Sequence, residues 1–312
     1  MLKHIFMVDS LAIGVDIGGS HITSALIDLN TQSILLPTIS RRPVNAGAGA
    51  EEIIATWRQA IAACCGNRAM ATTKLGIAMP GPFDYLQGIS FIRDQNKYDG
   101  LYGLNVKSLL AEALGISPEN ISFINDAASF LKGEVFGGAA VGCTNVLGLT
   151  LGTGFGSAIL QNGEVEDANL WCDPYQGGIA EDLLSSRWFV KSFYERTGKS
   201  VAGVKAMIQD ETSRDVALQI FREFGQNLGN YLVSITNRFD FDTVVIGGNI
   251  SKSFSLFAGS LQEVFSSSNV SIKTTCSLLH ENAALLGAAS ICTPANTVKE
   301  VMQHPKSAFT NA

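Results

Sequence analysis

Charge is scarce in this chain. Only 16% of its 312 residues are charged, and 28 acidic residues outnumber 22 basic ones, for a formal net charge of −6. That balance offers no basic patch to displace counterions from phosphates, which argues against a nucleic-acid partner. Cysteine is sparse too. Cys64, Cys65, Cys143, Cys172, Cys276 and Cys292 form no CxxC pair and no regular framework, so they read as buried free thiols of a reducing compartment. His4, His21, His280 and His304 show no metal-ligand spacing. No apolar run reaches about 18 residues, so neither a membrane span nor a membrane partner is expected. The chain starts with a single Lys3 and no small-residue cleavage site, unlike a secretory leader. A cytoplasmic location is the expectation.

What the chain does have is apolar residues, at 46%, and glycine, with 31. A length of 312 residues exceeds the size at which one core stops growing, so two domains are expected. Apolar patterning predicts strands at Leu11–Asp16, Ile22–Asp28, Lys74–Met79, Ile121–Ile124, Thr243–Ile246 and Val270–Thr274. Helices are predicted at Glu51–Cys65, Val106–Leu114, Ala127–Gly137, Ala180–Tyr194, Asp215–Phe239 and Asn282–Ala289. This alternation means α/β sheets. Gly225 and Gly229 lie on one face of their helix, which predicts close packing against a strand or a ligand.

Two glycine-rich hairpins share one design. In the first, Leu11–Asp16 meets Gly18-Gly19-Ser20 and returns through Ile22–Asp28. In the second, Val146–Leu151 meets Gly152-Thr153-Gly154 and returns from Phe155. Glycine lets a backbone turn at positive φ and lets a ligand approach its N–H groups. Two such turns facing each other can hold the phosphates of one nucleotide, as in the actin-like ATPase (ribonuclease H-like) fold. The second turn is not a dinucleotide fingerprint, because it opens a hairpin rather than a helix. Gly198-Lys199-Ser200 resembles the end of a Walker loop, but Phe193 stands where the first glycine is required.

Asp16 ends an apolar strand just before the first turn. It can hold Mg²⁺ through water, or it can be an ordinary turn-starting Asp. Asn125-Asp126 follows strand Ile121–Ile124 and precedes a helix. That puts a carboxylate at the carboxyl end of a strand, where open α/β sheets bind ligands. Taken alone, a helix N-cap is the stronger reading of Asp126. Gly247-Gly248-Asn249 follows a strand and reads either as an approach to adenosine or as a plain turn.

Taken in order, these elements resemble the ROK family (repressors, open reading frames, kinases), and its sugar kinases in particular. The resemblance runs from Ile13 to about Ala289 and rests on Asp16-Ile17-Gly18-Gly19-Ser20, Pro80-Gly81-Pro82, Asn125-Asp126-Ala127, Leu149–Gly154 and Val245–Gly248. It implies an actin-like fold with two lobes and a cleft. The expected lobes are 1–124, completed by 290–312, and a larger one at 125–289. It implies an ATP-dependent kinase of a hexose or amino sugar, glucokinase-like, with Asp126 as general base. Gly81, Asn96, Asn125, Asp126 and Glu181 would bind the sugar. Asp16, Gly18, Gly19, Ser20, Gly152, Thr153, Gly154, Gly247, Gly248 and Asn249 would bind the nucleotide, and Asp16 would hold Mg²⁺ through water. A homodimer is also implied.

One segment departs from the family. Its usual Glu-x-Gly-His and Cys-x-Cys-Gly-x-x-Gly-Cys zinc loop is replaced by Glu166–Glu181, which holds one cysteine and no histidine. No structural zinc is therefore expected. Glu181 stands where the family's final Glu would be, and it reads equally as a dipole-favoured first-turn residue. Trp171 and Tyr175 can stack on a sugar or simply pack the loop down. The alternative function is a non-catalytic sugar-binding regulator acting through a protein partner. About ten residues precede the first strand, too few for the helix-turn-helix of family repressors.

Overall fold

The computed structural model describes residues 10–66 and 73–292. Lys3, His4, His304 and the tail after Pro294 lie outside the described residues. The chain divides into two compact units, Met1–Gly142 with Glu281–Ala312, and Cys143–His280.

The first unit opens with the hairpin of β1 (Leu11–Ile17) and β2 (His21–Asp28), with Ile17 opposite Ile22. β3 (Ser33–Ile34) and β4 (Ser40–Pro43) pair with β2. Helix α1 (Ala50–Cys65) buries Ile53, Ile54, Trp57 and Ile61, as helical spacing predicts, together with Ala60, Cys64 and Cys65, whereas Ala62, expected on the same stripe, is exposed. β5 (Lys74–Met79) runs parallel to β1. A short hairpin of β6 (Phe83–Asp84) and β7 (Ile89–Ser90) follows. Then come α2 (Val106–Leu114), β8 (Ile121–Asn125) parallel to β5, and α3 (Asp126–Gly137). The core lies between α1 and the sheet, where Trp57 and Ile61 join Ile13, Val15 and Ile77.

The second unit repeats this plan. β9 (Val146–Leu151) and β10 (Phe155–Gln161) form a hairpin, extended by β11 (Glu164–Asp167). The loop beyond holds β12 (Pro174–Tyr175) and β13 (Gly178–Ile179). Four helices follow: α4 (Ala180–Leu184), α5 (Ser186–Thr197), α6 (Val204–Gln209) and α7 (Arg214–Ile235). β14 (Thr243–Gly247) runs parallel to β9, α8 (Ala258–Ser267) comes next, and β15 (Lys273–Cys276) runs parallel to β14. Strand order β10-β9-β14-β15 thus matches β2-β1-β5-β8. An aromatic core of Phe189, Phe193, Phe221, Phe224 and Phe257 holds the helices together. The chain then returns to the first unit as α9 (Ala283–Ser290).

Several features differ from the sequence expectation. Cys64, Cys65 and Cys292 are buried, but Cys143 and Cys276 are only partly buried and Cys172, on the loop before α4, is exposed. The division falls after Gly142 rather than at 124, because α3 packs against α9 within the first unit. The two helices meet backbone to backbone. A Cβ on Gly133 would lie 1.9 Å from Ala283 O, and one on Gly287 would lie 1.8 Å from Ser129 O. The helix expected at Ala180–Tyr194 breaks at Ser185, whose extended backbone (φ −122°, ψ 167°) ends α4 and starts α5. The long helix stops at Ile235, and the last strand begins at Lys273 rather than Val270. Gly225 faces a helix, not a strand or a ligand, since a Cβ there would lie 2.4 Å from Phe257 O.

Candidate active site

In the first unit, three parallel strands bring the predicted residues to one edge. Asp16 pairs with Ala78 on β5, Ala78 with Ile124 on β8, and Met79 with Asn125. The Gly18–Ser20 turn, the Pro80-Gly81-Pro82 loop and Asn125-Asp126 therefore all leave the carboxyl ends of neighbouring strands. This is the edge at which α/β sheets present binding loops.

Asn125, not Asp126, caps α3. Its Oδ1 accepts from the backbone N–H groups of Ala127 at 2.9 Å and Ala128 at 3.0 Å. Its Nδ2 donates to Tyr85 Oη at 3.2 Å, and Tyr85 Oη donates to Met79 O at 3.1 Å. The cap assigned to Asp126 by sequence thus belongs to the preceding residue. Asp126 becomes the first helical residue and stays accessible to solvent. Its Oδ1 also accepts from the Ala127 N–H, at 2.9 Å.

The surrounding protein still displaces much of the water around Asp126. That desolvation raises its carboxyl above the ordinary value, opposed by the Ala127 N–H and by the positive charge of Lys97. Asp16 is pushed up to about 6, first by burial and then by the negative charge of Asp126, with Arg41 working the other way. Two desolvated carboxylates that repel each other suit a hard dication bound through water. Among the described residues, no three His, Cys, Asp or Glu side chains cluster to hold a metal directly.

Tyr98, Tyr85 and Lys97 were not singled out by sequence. Tyr98 Oη donates to Gly18 O at 2.5 Å, and its buried ring meets Trp57 edge-on at 5.5 Å. It pins the first glycine turn and brings the preceding loop alongside. Asn96 lies exposed on that loop with φ 55°. Ser20 Oγ lies 2.9 Å from His21 Nδ1.

In the second unit, two further glycine turns lie side by side. Gly247 pairs with Thr150, so the Gly152-Thr153-Gly154 and Gly247-Gly248-Asn249 turns leave adjacent strands. Gly248 has φ +80°, and a Cβ there would lie 2.3 Å from Leu151 O. Asn249 Oδ1 accepts from Lys252 Nζ at 3.0 Å. Glu181 Oε2 accepts from the Phe155 N–H at 2.9 Å, while Oε1 pairs with Arg187.

A model of the ROK family matches residues 12–168 and 166–295. The chain belongs to the ROK family. A glucokinase of Thermotoga maritima is 25% identical over 314 residues, covering 89% of this chain and 96% of that protein. A xylose repressor of Bacillus subtilis is 24% identical over 302 residues, covering 90% of this chain and 76% of the repressor. Among solved structures, a ROK family glucokinase from Streptomyces griseus, in complex with glucose and AMPPNP, superposes with a TM-score of 0.70. It is 22% identical and covers 90% of this chain and 98% of that one. The fold is the mixed α/β, actin-like ATPase fold of ROK sugar kinases.

This ROK chain anchors the 166–181 loop without a Cys/His set. Tyr231 Oη donates to Asp173 Oδ2 at 2.7 Å, and Arg238 Nη2 donates to the same oxygen. Tyr175 packs edge-on against Tyr231 at 5.1 Å, and its Oη donates to Asn227 O at 3.1 Å. Tyr175 therefore packs the loop down, while Trp171 stays exposed.

Proposed function

We propose that this chain is an ATP-dependent sugar kinase that phosphorylates a hydroxyl of a hexose or amino sugar. The observation that carries this reading is the division of labour at the start of α3. Asn125 caps the helix, so Asp126 keeps an accessible carboxylate at the carboxyl end of β8. The relative named a glucokinase supports it.

In this reading Asp126, ionised, accepts the proton of the sugar hydroxyl. The hydroxyl oxygen bonds to the γ-phosphorus, the bond from that phosphorus to the bridging oxygen breaks, and ADP leaves with the electron pair. Lys97 favours the ionised form of the base. Asn125 has one Nδ2 proton beyond the one given to Tyr85, and that proton serves a sugar hydroxyl. Gly81 and Asn96 are assigned to the same substrate. The turns at Gly18, Gly19, Ser20 and at Gly152, Thr153, Gly154 are assigned to the phosphates, and Gly247, Gly248, Asn249 to the adenosine. Asp16 fits Mg²⁺ held through water; the ion, when bound, neutralises phosphate charge. A cytoplasmic homodimer completes the proposal by family analogy.

The test is a panel of hexoses, amino sugars and ketoses with Mg·ATP, read as sugar-dependent ADP release. Release with at least one sugar is expected, and silence across the panel would overturn the proposal. The repressor relative supports a second reading, a sugar-binding regulator without turnover. That reading predicts sugar-induced thermal stabilisation, unchanged by Asp126→Asn, with no ADP formed.

A further inference from the structure

We infer that Glu181 is a positioning residue of the second glycine turn, and that its work concerns the nucleotide rather than the sugar. The inference rests on the kinase reading for what the turn binds.

The turn between β9 and β10 is tied at one end to the start of α5 and at the other to the first turn of α4. The Ser186 N–H donates to Gly152 O at 2.8 Å. At the other end the Phe155 N–H donates to Glu181 Oε2 at 2.9 Å. The turn closes on itself through Gly152 N–H to Gly154 O at 3.0 Å. Glu181 Oε2 lies against Gly154 so closely that a Cβ there would be 2.8 Å away. A side chain at position 154 would therefore push the Glu181 carboxylate away from the turn. The second carboxylate oxygen, Oε1, is taken by Arg187. Glu181 has one oxygen on the backbone of the turn and one on a guanidinium.

Charge explains the third member. A lone carboxylate beside a turn that cradles phosphates would repel them. Arg187 cancels that charge, and its side chain is 61% exposed against 20% for Glu181. A neutral Glu181–Arg187 pair can hold the turn's shape without penalising the anion. The Phe155 N–H is spent on this clamp, which leaves Thr153 and Gly154 as the natural amide donors to phosphate.

The experiment compares wild type with Glu181→Ala, Glu181→Gln and Arg187→Ala, separating KM for ATP from KM for sugar. An ATP-analogue binding titration runs alongside. Glu181→Ala is expected to raise KM for ATP about tenfold, the weight of one lost hydrogen bond, with KM for sugar near wild type. Glu181→Gln keeps an acceptor for Phe155 and is expected to recover most of that loss. Arg187→Ala exposes the carboxylate and is expected to raise KM for ATP as well. Should Glu181→Ala not fold, Arg187→Ala and Glu181→Gln carry the same test. A raised sugar KM with an unchanged ATP KM, in any of the three, would overturn the inference and make Glu181 a sugar ligand. A wild type that neither binds the analogue nor releases ADP would sink the kinase reading, and this inference with it.

Discussion

The carboxylate of Asp126 acts on that of Asp16: after desolvation, its repulsion is the largest cause lifting Asp16 to about 6. Both residues stand at the carboxyl ends of parallel strands in one sheet. Holding them there is a cost to the fold that only a cation or a proton relieves.

Stability should therefore fall with rising pH. Between about pH 4 and pH 6 the folded chain keeps the Asp16 proton that the unfolded chain has already lost. Above that window the penalty is complete. Asp16→Asn should melt higher than wild type at pH 7.5 in metal-free buffer, by up to about 3 kcal/mol, the free energy of moving a carboxyl from 3.8 to about 6. The difference should vanish below pH 4. Thermal melts by circular dichroism check this, and a lower melting point for the variant would contradict it.

The general base should show in the pH–rate profile. Asp126 is raised by desolvation, so kcat/KM should fall on the acid side, above the ordinary aspartate range. Asp126→Asn should lower turnover by about 10²–10⁴-fold and flatten that limb. Sugar binding, read by thermal shift, should persist.

Asn125 separates cap from chemistry. Asn125→Ala removes the acceptor for two N–H groups and should cost about 1 kcal/mol of stability. Asn125→Asp keeps the cap but adds a third carboxylate beside Asp126. Its melting point should stay near wild type at low pH and drop more steeply than wild type towards neutrality. Identical pH slopes for the two proteins would refute this.

The loop before Glu181 should depend on Asp173 and not on a metal. Asp173→Ala strips one shared acceptor from Tyr231 and Arg238 and should destabilise by about 1–2 kcal/mol. A strong chelator should leave the wild-type melting curve unmoved. A chelator-induced drop would show that something other than this network holds the loop.

Local signals marked the turns and strand ends of this candidate site in advance. An apolar strand running into Asp16 and Gly18-Gly19-Ser20 announces its own turn, because glycine tolerance is a property of a few adjacent residues. The same holds for the Gly152 turn and for a strand ending at Asn125-Asp126. The partners lay beyond sequence reach. Tyr98 meets Gly18 from 80 residues away, and Tyr85 meets Asn125 from 40. Neither tyrosine carries a local signature, since any buried aromatic looks alike in a sequence. The cap is a finer case. Both Asn and Asp are good caps, and only the backbone conformation at residue 125 decides which one serves.

Composition and periodicity determined that this chain builds α/β sheets with paired glycine hairpins, because strand alternation and turn chemistry act over a handful of neighbours. Tertiary packing decided the rest. The approach of α3 to α9 set the unit boundary at Gly142, and the packing of α4 beside the β9–β10 turn drew Glu181 onto Phe155. Such contacts join distant segments, and which oxygen meets which N–H is fixed only when the backbones between them have taken their final course.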